Sequence, residues 1–213
     1  MKLLITGFDP FGGEKVNPAF EAIKALPNHI EGCEIIKQEI PTVFRKSLEV
    51  LEKTIDHHDP DVIICVGQAG GRFELSLECV GINLDEARIP DNEGNQPLGA
   101  PIHSAGENAY FSSLPLKGML KTLHEAQIPA GISYSAGTYV CNHVLYGLMH
   151  LLETKYEGKR GGFIHVPFLP EQVINKKNTP CMSLNMISKG LEQSIVASVR
   201  YEQDIQYPSG QTH

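Results

Sequence analysis

DVIICVG, residues 61–67, is a β-branched apolar run entered through Asp-Pro and closed by glycine, and it reads as a strand buried on both faces. A strand of that kind belongs to a parallel sheet covered by helices. Upstream, Phe44 to His57 forms an amphipathic helix with Phe44, Leu48, Leu51 and Ile55 on one face. CEIIKQEI (33–40) is strand-like, and KLLITG (2–7) is a short buried strand ending at glycine. Between them Asn17-Pro18 supplies an N-cap and a proline at the first helical position, with Ala19, Ile23 and Leu26 at helical spacing. Strand, helix, strand, helix, strand predicts parallel pairing with helices on both sides.

Downstream, residues 74–89 are extended, and ARIPDNEGNQPLGAP (87–101), rich in Pro, Gly and Asn, is loop. Residues 107–127 read as helical with a break at Pro115. GISYS (131–135) is a strand, Cys141 to Glu153 a helix, and GGFIHVPF (161–168) a strand ending at Pro167. A last helix runs from Ser183 to about Gln203. No repeat or linker divides the chain. The fold class is therefore α/β: one three-layer α/β/α sandwich over residues 1–205 with a mostly parallel twisted central sheet, followed by a polar tail, 206–213, expected to be disordered.

The hydrophobic fraction of 41% over 213 residues excludes disorder as the main state. With 18 basic against 25 acidic residues the net charge is −7, which argues against nucleic acid or an anionic membrane as partner. Met1 is followed by too short an apolar run for a signal peptide, and no stretch reaches the ~20 apolar residues of a membrane span. These features place the protein in the cytoplasm. The five cysteines (Cys33, Cys65, Cys79, Cys141, Cys181) are odd in number, contain no CxxC pair and suit a reducing compartment.

Three segments invite chemistry and fall short alone. GFDPFGGEK (7–15) lacks the Lys and Ser/Thr of a phosphate loop, and Glu14 would repel phosphate. Phe8 and Phe11 there suit a pocket wall beyond the strand ends, or core. GQAGGR (67–72) allows close backbone approach or a turn. HHDPD (57–61) fits a solvated helix-to-strand turn better than a metal site.

AGTYVCNHVLYG (136–147) is more informative. Cys141 falls at the start of an apolar helix, where unpaired N–H groups lower a thiol pKa and can hold an oxyanion. His143 is two residues away and does not face it. His165, near the end of the 161–168 strand, is the alternative base: in a parallel sheet that strand would neighbour the one before Cys141, with both C-terminal ends on one rim. Glu78, a charge among apolar residues in SLECVGIN, is the candidate to orient the imidazole. Singly, a buried Cys is inert and a strand His is a core residue; together the three weigh as much toward a cysteine hydrolase as toward packing.

TGFDPFGGEKVNP (6–18), VGQAGGR (66–72), SLECVGIN (76–83), ARIPDNEGNQP (87–97), AYFSSLP (109–115), SAGTYVCNHVLYGLMH (135–150) and GGFIHVPFLPEQ (161–172) together resemble the bacterial-type pyroglutamyl peptidases (pyrrolidone carboxyl peptidases). The resemblance runs in order over most of the chain. It implies a cysteine exopeptidase that removes N-terminal pyroglutamyl (5-oxoproline) residues from peptides through a thioacyl-enzyme, with neither metal nor cofactor. Carried over by position, it makes Cys141 the nucleophile, His165 the base and Glu78 its orienting group, with Arg88 near the oxyanion beside the Cys141 N–H. Phe8, Phe11, Thr42, Ile89, Tyr139 and Val140 match the pocket for the lactam ring, Gln68 lies beside it, and Asn17 is grouped with them. It also implies a homotetramer or homodimer. Cys79 and Gly81 stand where the family usually has a basic residue and Ala, and Tyr139 stands where Phe is common, adding a hydroxyl to the pocket wall. Two other functions fit the same fold class: a phosphorylase-like enzyme acting on nucleosides, and a non-catalytic pyroglutamate-binding protein.

Overall fold

In the computed structural model, which describes residues 1–210, the elements run β1 (Lys2–Phe8), α1 (Pro18–Lys24), β2 (His29–Ile30), β3 (Cys33–Ile40), α2 (Lys46–His58), β4 (Val62–Gln68), β5 (Leu75–Glu78), β6 (Val80–Ile82) and β7 (Asp85–Glu86). There follow β8 (Leu98–Ala100), β9 (Ala109–Phe111), α3 (Leu116–Glu125), β10 (Ala130–Ser133), α4 (Val140–Thr154), β11 (Arg160–Val166), α5 (Pro170–Val173) and α6 (Leu184–Arg200). The 61–67 run forms β4, buried along its whole length at the centre of a seven-stranded sheet ordered β10-β5-β11-β4-β1-β3-β2.

The strands β3, β1, β4 and β11 are mutually parallel, which is the α/β/α sandwich expected. Side chains alternate across the sheet. Leu3, Ile5, Val62, Ile64, Ile164 and Val166 pack under α1, α3 and α6. Leu4, Ile63, Cys65 and Phe163 pack under α2 and α4. Asn17 caps α1, its Oδ1 accepting from the Ala19 N–H at 3.1 Å, and Ser183 caps α6 from Met186 at 3.3 Å. The 57–61 segment ends α2, with Asp59 in the left-handed region at φ 49°.

Two expectations need correcting. Residues 107–127 are not one broken helix: Ala109–Phe111 pairs antiparallel with Val80–Ile82, and the helix begins only after Pro115. A strand partner brought by the fold overrides the local pattern there. The strands before Cys141 and through His165 are also not neighbours. Between β10 and β11 lies β5, antiparallel to β11 and parallel to β10, so β10 and β11 run in opposite directions and do not share a C-terminal rim.

Near the chain end, Asp204 accepts from the Lys117 and Gly118 N–H groups at 3.0 Å each, supplying the cap that Pro115 does not. Tyr207, inside the segment expected to be disordered, packs against the α1/α3/α6 core; residues 211–213 lie outside the described residues. No described helix is long and apolar enough to cross a membrane.

Candidate active site

The turn between β10 and α4 is held from the side. The Glu86 N–H donates to the Thr138 carbonyl at 2.9 Å, and the Thr138 hydroxyl returns a bond to the Glu86 carbonyl at 2.8 Å. Tyr139 then takes the N-cap position in extended conformation with no side-chain cap. Among the described residues, the first N–H groups of α4, including that of Cys141, are left without a helical or side-chain partner. Cys141 is half-buried, and its sulfur lies over Gly67, where a Cβ would stand only 2.9 Å from Sγ. Gly67 is the register partner of His165, so the Cys141 sulfur and the His165 backbone lie over the same rung of the sheet.

Glu78 reaches His165 from the other side. Glu78 is directly opposite Phe163 in the antiparallel β5–β11 pair, and Phe163 and His165 share a face, so Glu78 and His165 are diagonal neighbours. Glu78 Oε1 accepts from His165 Nδ1 at 2.7 Å, with both side chains buried. The same oxygen accepts from Arg72 Nη1 at 2.5 Å. Burial pushes the Glu78 carboxyl up, but the hydrogen bond and charge of His165, together with Arg72, outweigh it and hold the group below the ordinary glutamate range. Cys141 goes the other way. Burial first, then the Glu78 carboxylate, push its thiol up to about 12 against the opposing pull of Arg72. Burial thus opposes the lowering expected from the helix N-terminus.

The expected pocket residues form two aromatic chains. Phe11 meets Tyr139 at 6.1 Å between ring centroids, and Tyr139 meets Phe44 edge-on at 5.4 Å. Phe8, fully buried, meets Phe163 at 6.3 Å, and Phe163 meets His165 at 4.8 Å. Val140 is buried beneath them. Thr42 and Asn17 are tied to one aspartate: the Thr42 N–H donates to Asp9 Oδ1 at 2.7 Å, while the Thr42 hydroxyl and Asn17 Nδ2 donate to the Asp9 carbonyl at 3.1 and 3.0 Å. Gln68 points to the opposite face, where its Oε1 accepts from Gln172 at 2.8 Å. Arg88 and Ile89 are exposed on the 87–97 loop, and no hydrogen bond or ion pair holds the Arg88 side chain among the described residues.

Several residues of the site were not anticipated. Arg72 is one. His143 is another: rejected as a base on helical geometry, it is a strut, with Nδ1 2.8 Å from Asp85 Oδ2 and Nε2 accepting from the Arg45 N–H at 2.9 Å. Asp91 accepts from the Phe44, Glu93 and Asn95 N–H groups at 2.9 Å each, binding the 87–97 loop to the pocket wall. The aspartates Asp9 and Asp91, each beside a proline in a polar turn, were the available signal. Two cavities of about 600 Å³ lie elsewhere, lined by residues such as Tyr110 and Lys155 and by Ala25 and Glu192.

A cysteine at a bare helix N-terminus, a neighbouring imidazole and a buried carboxylate behind it make a thiol hydrolase arrangement. Residues 1–201 match the family model described as pyroglutamyl peptidase. The chain is 59% identical to a pyrrolidone-carboxylate peptidase of Clostridium perfringens over 99% of both chains, and 56% identical to one of Enterococcus faecalis over the whole of both. It superposes on the crystal structure of pyroglutamyl peptidase I from Bacillus amyloliquefaciens with a TM-score of 0.94 at 51% identity, covering 97% of this chain and 99% of that one. With a sulfur, an imidazole and a carboxylate drawn from three segments onto one face of the sheet, and with likeness running the length of the chain, the protein belongs to the pyroglutamyl peptidase family.

Proposed function

We propose that this cysteine peptidase hydrolyses the bond after an N-terminal pyroglutamyl residue, with Cys141 as nucleophile, His165 as base and Glu78 orienting the imidazole. The observation that carries the reading is the Cys141 sulfur over Gly67, on the rung of the sheet shared with His165, whose Nδ1 is 2.7 Å from Glu78.

The Cys141 proton moves to His165 Nε2 as Sγ attacks the pyroglutamyl carbonyl, and Glu78 stabilises the imidazolium through Nδ1. The Cys141 N–H, with Arg88 brought in from its loop, holds the oxyanion. The tetrahedral adduct collapses, the C–N bond breaks, and His165 gives its proton to the leaving amine. Water deprotonated by His165 then opens the thioester and restores the thiol. Pyroglutamate has no free amine to pair with a carboxylate, so it is recognised by an apolar slot and a few amide hydrogen bonds. Phe11, Tyr139 and Ile89 would line that slot over Phe8 and Val140, with Thr42 and Asn17 behind; Gln68, at the end of β4, contributes only its backbone.

The same reading assigns the protein to the cytoplasm, on its five free cysteines, and to a homotetramer or homodimer, on the family resemblance. The catalytic single domain spans 1–205. The test is release of a fluorescent amine from a pyroglutamyl amide, with a prolyl amide as control. Wild type and Cys79→Ala should cleave only the first, and Cys141→Ala neither. A folded wild type that cleaves nothing overturns the reading.

A further inference from the structure

The glycine-rich segment 67–72 enters the mechanism only at Gly67, yet the whole segment is built to return Arg72 to the site. Its first free residue is anchored, the Ala69 N–H donating to the Val166 carbonyl at 2.9 Å. Gly70 lies against the Phe168 ring, where a Cβ would be 2.3 Å from the ring carbons, and Gly71 turns back at φ 92°. A side chain at either position would open the loop. The loop therefore delivers one guanidinium to two acceptors: Nη1 donates to Glu78 Oε1 at 2.5 Å and Nη2 to the Ser135 carbonyl at 3.0 Å.

These acceptors belong to different parts of the site. Glu78 is fully buried and orients His165; Ser135 begins the turn that carries Cys141. Both strong bonds to Glu78 fall on Oε1, while Oε2 is buried with no hydrogen-bond partner. Without Arg72 the carboxylate keeps His165 and the Ser133 side chain, but loses the guanidinium that ties it to the Ser135 carbonyl.

We propose that Arg72 is a positioning residue for the reaction, its planar fork fixing the Glu78 carboxylate and the Ser135 carbonyl at one separation. This rests on the peptidase reading above. A lysine supplies the charge without the fork, so the two contributions separate in experiment. The groups facing Glu78 are His165 from β11, Arg72 from the loop, Cys141 from α4 and Cys79 beside it, with Cys65 behind the nucleophile. Removing Arg72 leaves the Glu78 negative charge beside His165 without its second cationic partner.

Two readouts test the clamp on the full chain: turnover of the pyroglutamyl amide, and the pH profile of Cys141 alkylation by iodoacetamide, read at the Cys141 peptide by mass spectrometry. Arg72→Met should lower kcat about 10- to 100-fold with little change in KM and move the acid limb of alkylation to higher pH. Arg72→Lys should restore the acid limb but not kcat. Wild-type kcat in Arg72→Lys overturns the clamp, even if Arg72→Met does not fold. An unmoved acid limb in folded Arg72→Met overturns it equally. If wild type fails to cleave the amide while the alkylation limb shifts as stated, the peptidase reading falls and the clamp stands.

Discussion

Gly67 and Cys141 are in contact across the sheet–helix interface: a methyl group on Gly67 would sit 2.9 Å from the Cys141 sulfur and 2.8 Å from the Phe163 ring. The absence of a side chain at Gly67 is what leaves the thiol its place over the rung that Gly67 shares with His165. Gly67→Ala should therefore fold, yet lose about 100-fold or more in kcat by displacing Sγ from its line of attack. Circular dichroism with the fluorogenic assay checks this, and wild-type turnover would show that the sulfur has room to spare.

Glu78→Gln should lower kcat by about 10² to 10⁴ while the fold stays intact, since the amide no longer stabilises the imidazolium. A stability signature goes with it. The Glu78 carboxyl titrates below its ordinary 4.5 in the folded state, so its contribution is fully present above that value and is lost as pH falls through the lower folded one. Melting followed down through this acid range should show a fall in wild type that is shallower in Glu78→Gln.

The Cys141 thiol, pushed up to about 12 by burial, should react slowly with iodoacetamide at neutral pH unless His165 takes its proton. His165→Ala should then depress alkylation at Cys141 more than at the exposed Cys181. Equal effects on both peptides would remove His165 as the base.

The Tyr139 hydroxyl, expected as an addition to the pocket wall, is bound to the chain: it donates to the Pro90 carbonyl at 3.0 Å. It thereby tethers the loop carrying Arg88 and Ile89. Tyr139→Phe should cost about 1 kcal/mol of folding stability and raise KM several-fold, with kcat close to wild type. Steady-state kinetics decides; an unchanged KM would mean that Asp91 and Asn92 hold the loop without the Tyr139 hydroxyl.

His143 and Asp85, 2% and 7% exposed, brace the base of α4 against the 42–45 segment. His143→Ala should destabilise the fold by about 2–3 kcal/mol in urea unfolding, leaving a buried carboxylate without its donor. At temperatures where it remains folded it should still cleave the pyroglutamyl amide. Loss of cleavage in folded His143→Ala would give His143 a direct part in the chemistry.

What the residues determine locally was legible in order. The β-branched run at 61–67, the caps at Asn17 and Ser183, and the apolar periodicity of α4 act over a few positions and announce their elements. Cys141 at a helix start, His165 near a strand end and Glu78 among apolar neighbours are each odd enough in their surroundings to be singled out. How they meet depends on tertiary structure, because it depends on pairings between distant segments. Nothing local says that β5 enters the sheet antiparallel to β11, yet that reversal makes Glu78 and His165 diagonal neighbours. Nothing local says that Ala109–Phe111 has a strand to join, that Arg72 returns to Glu78, or that the Tyr139 hydroxyl finds Pro90. The Cys141 thiol shows the division most plainly. Its place at the helix start follows from sequence and favours the thiolate, while the burial that opposes this is a sum over atoms brought there by the whole fold.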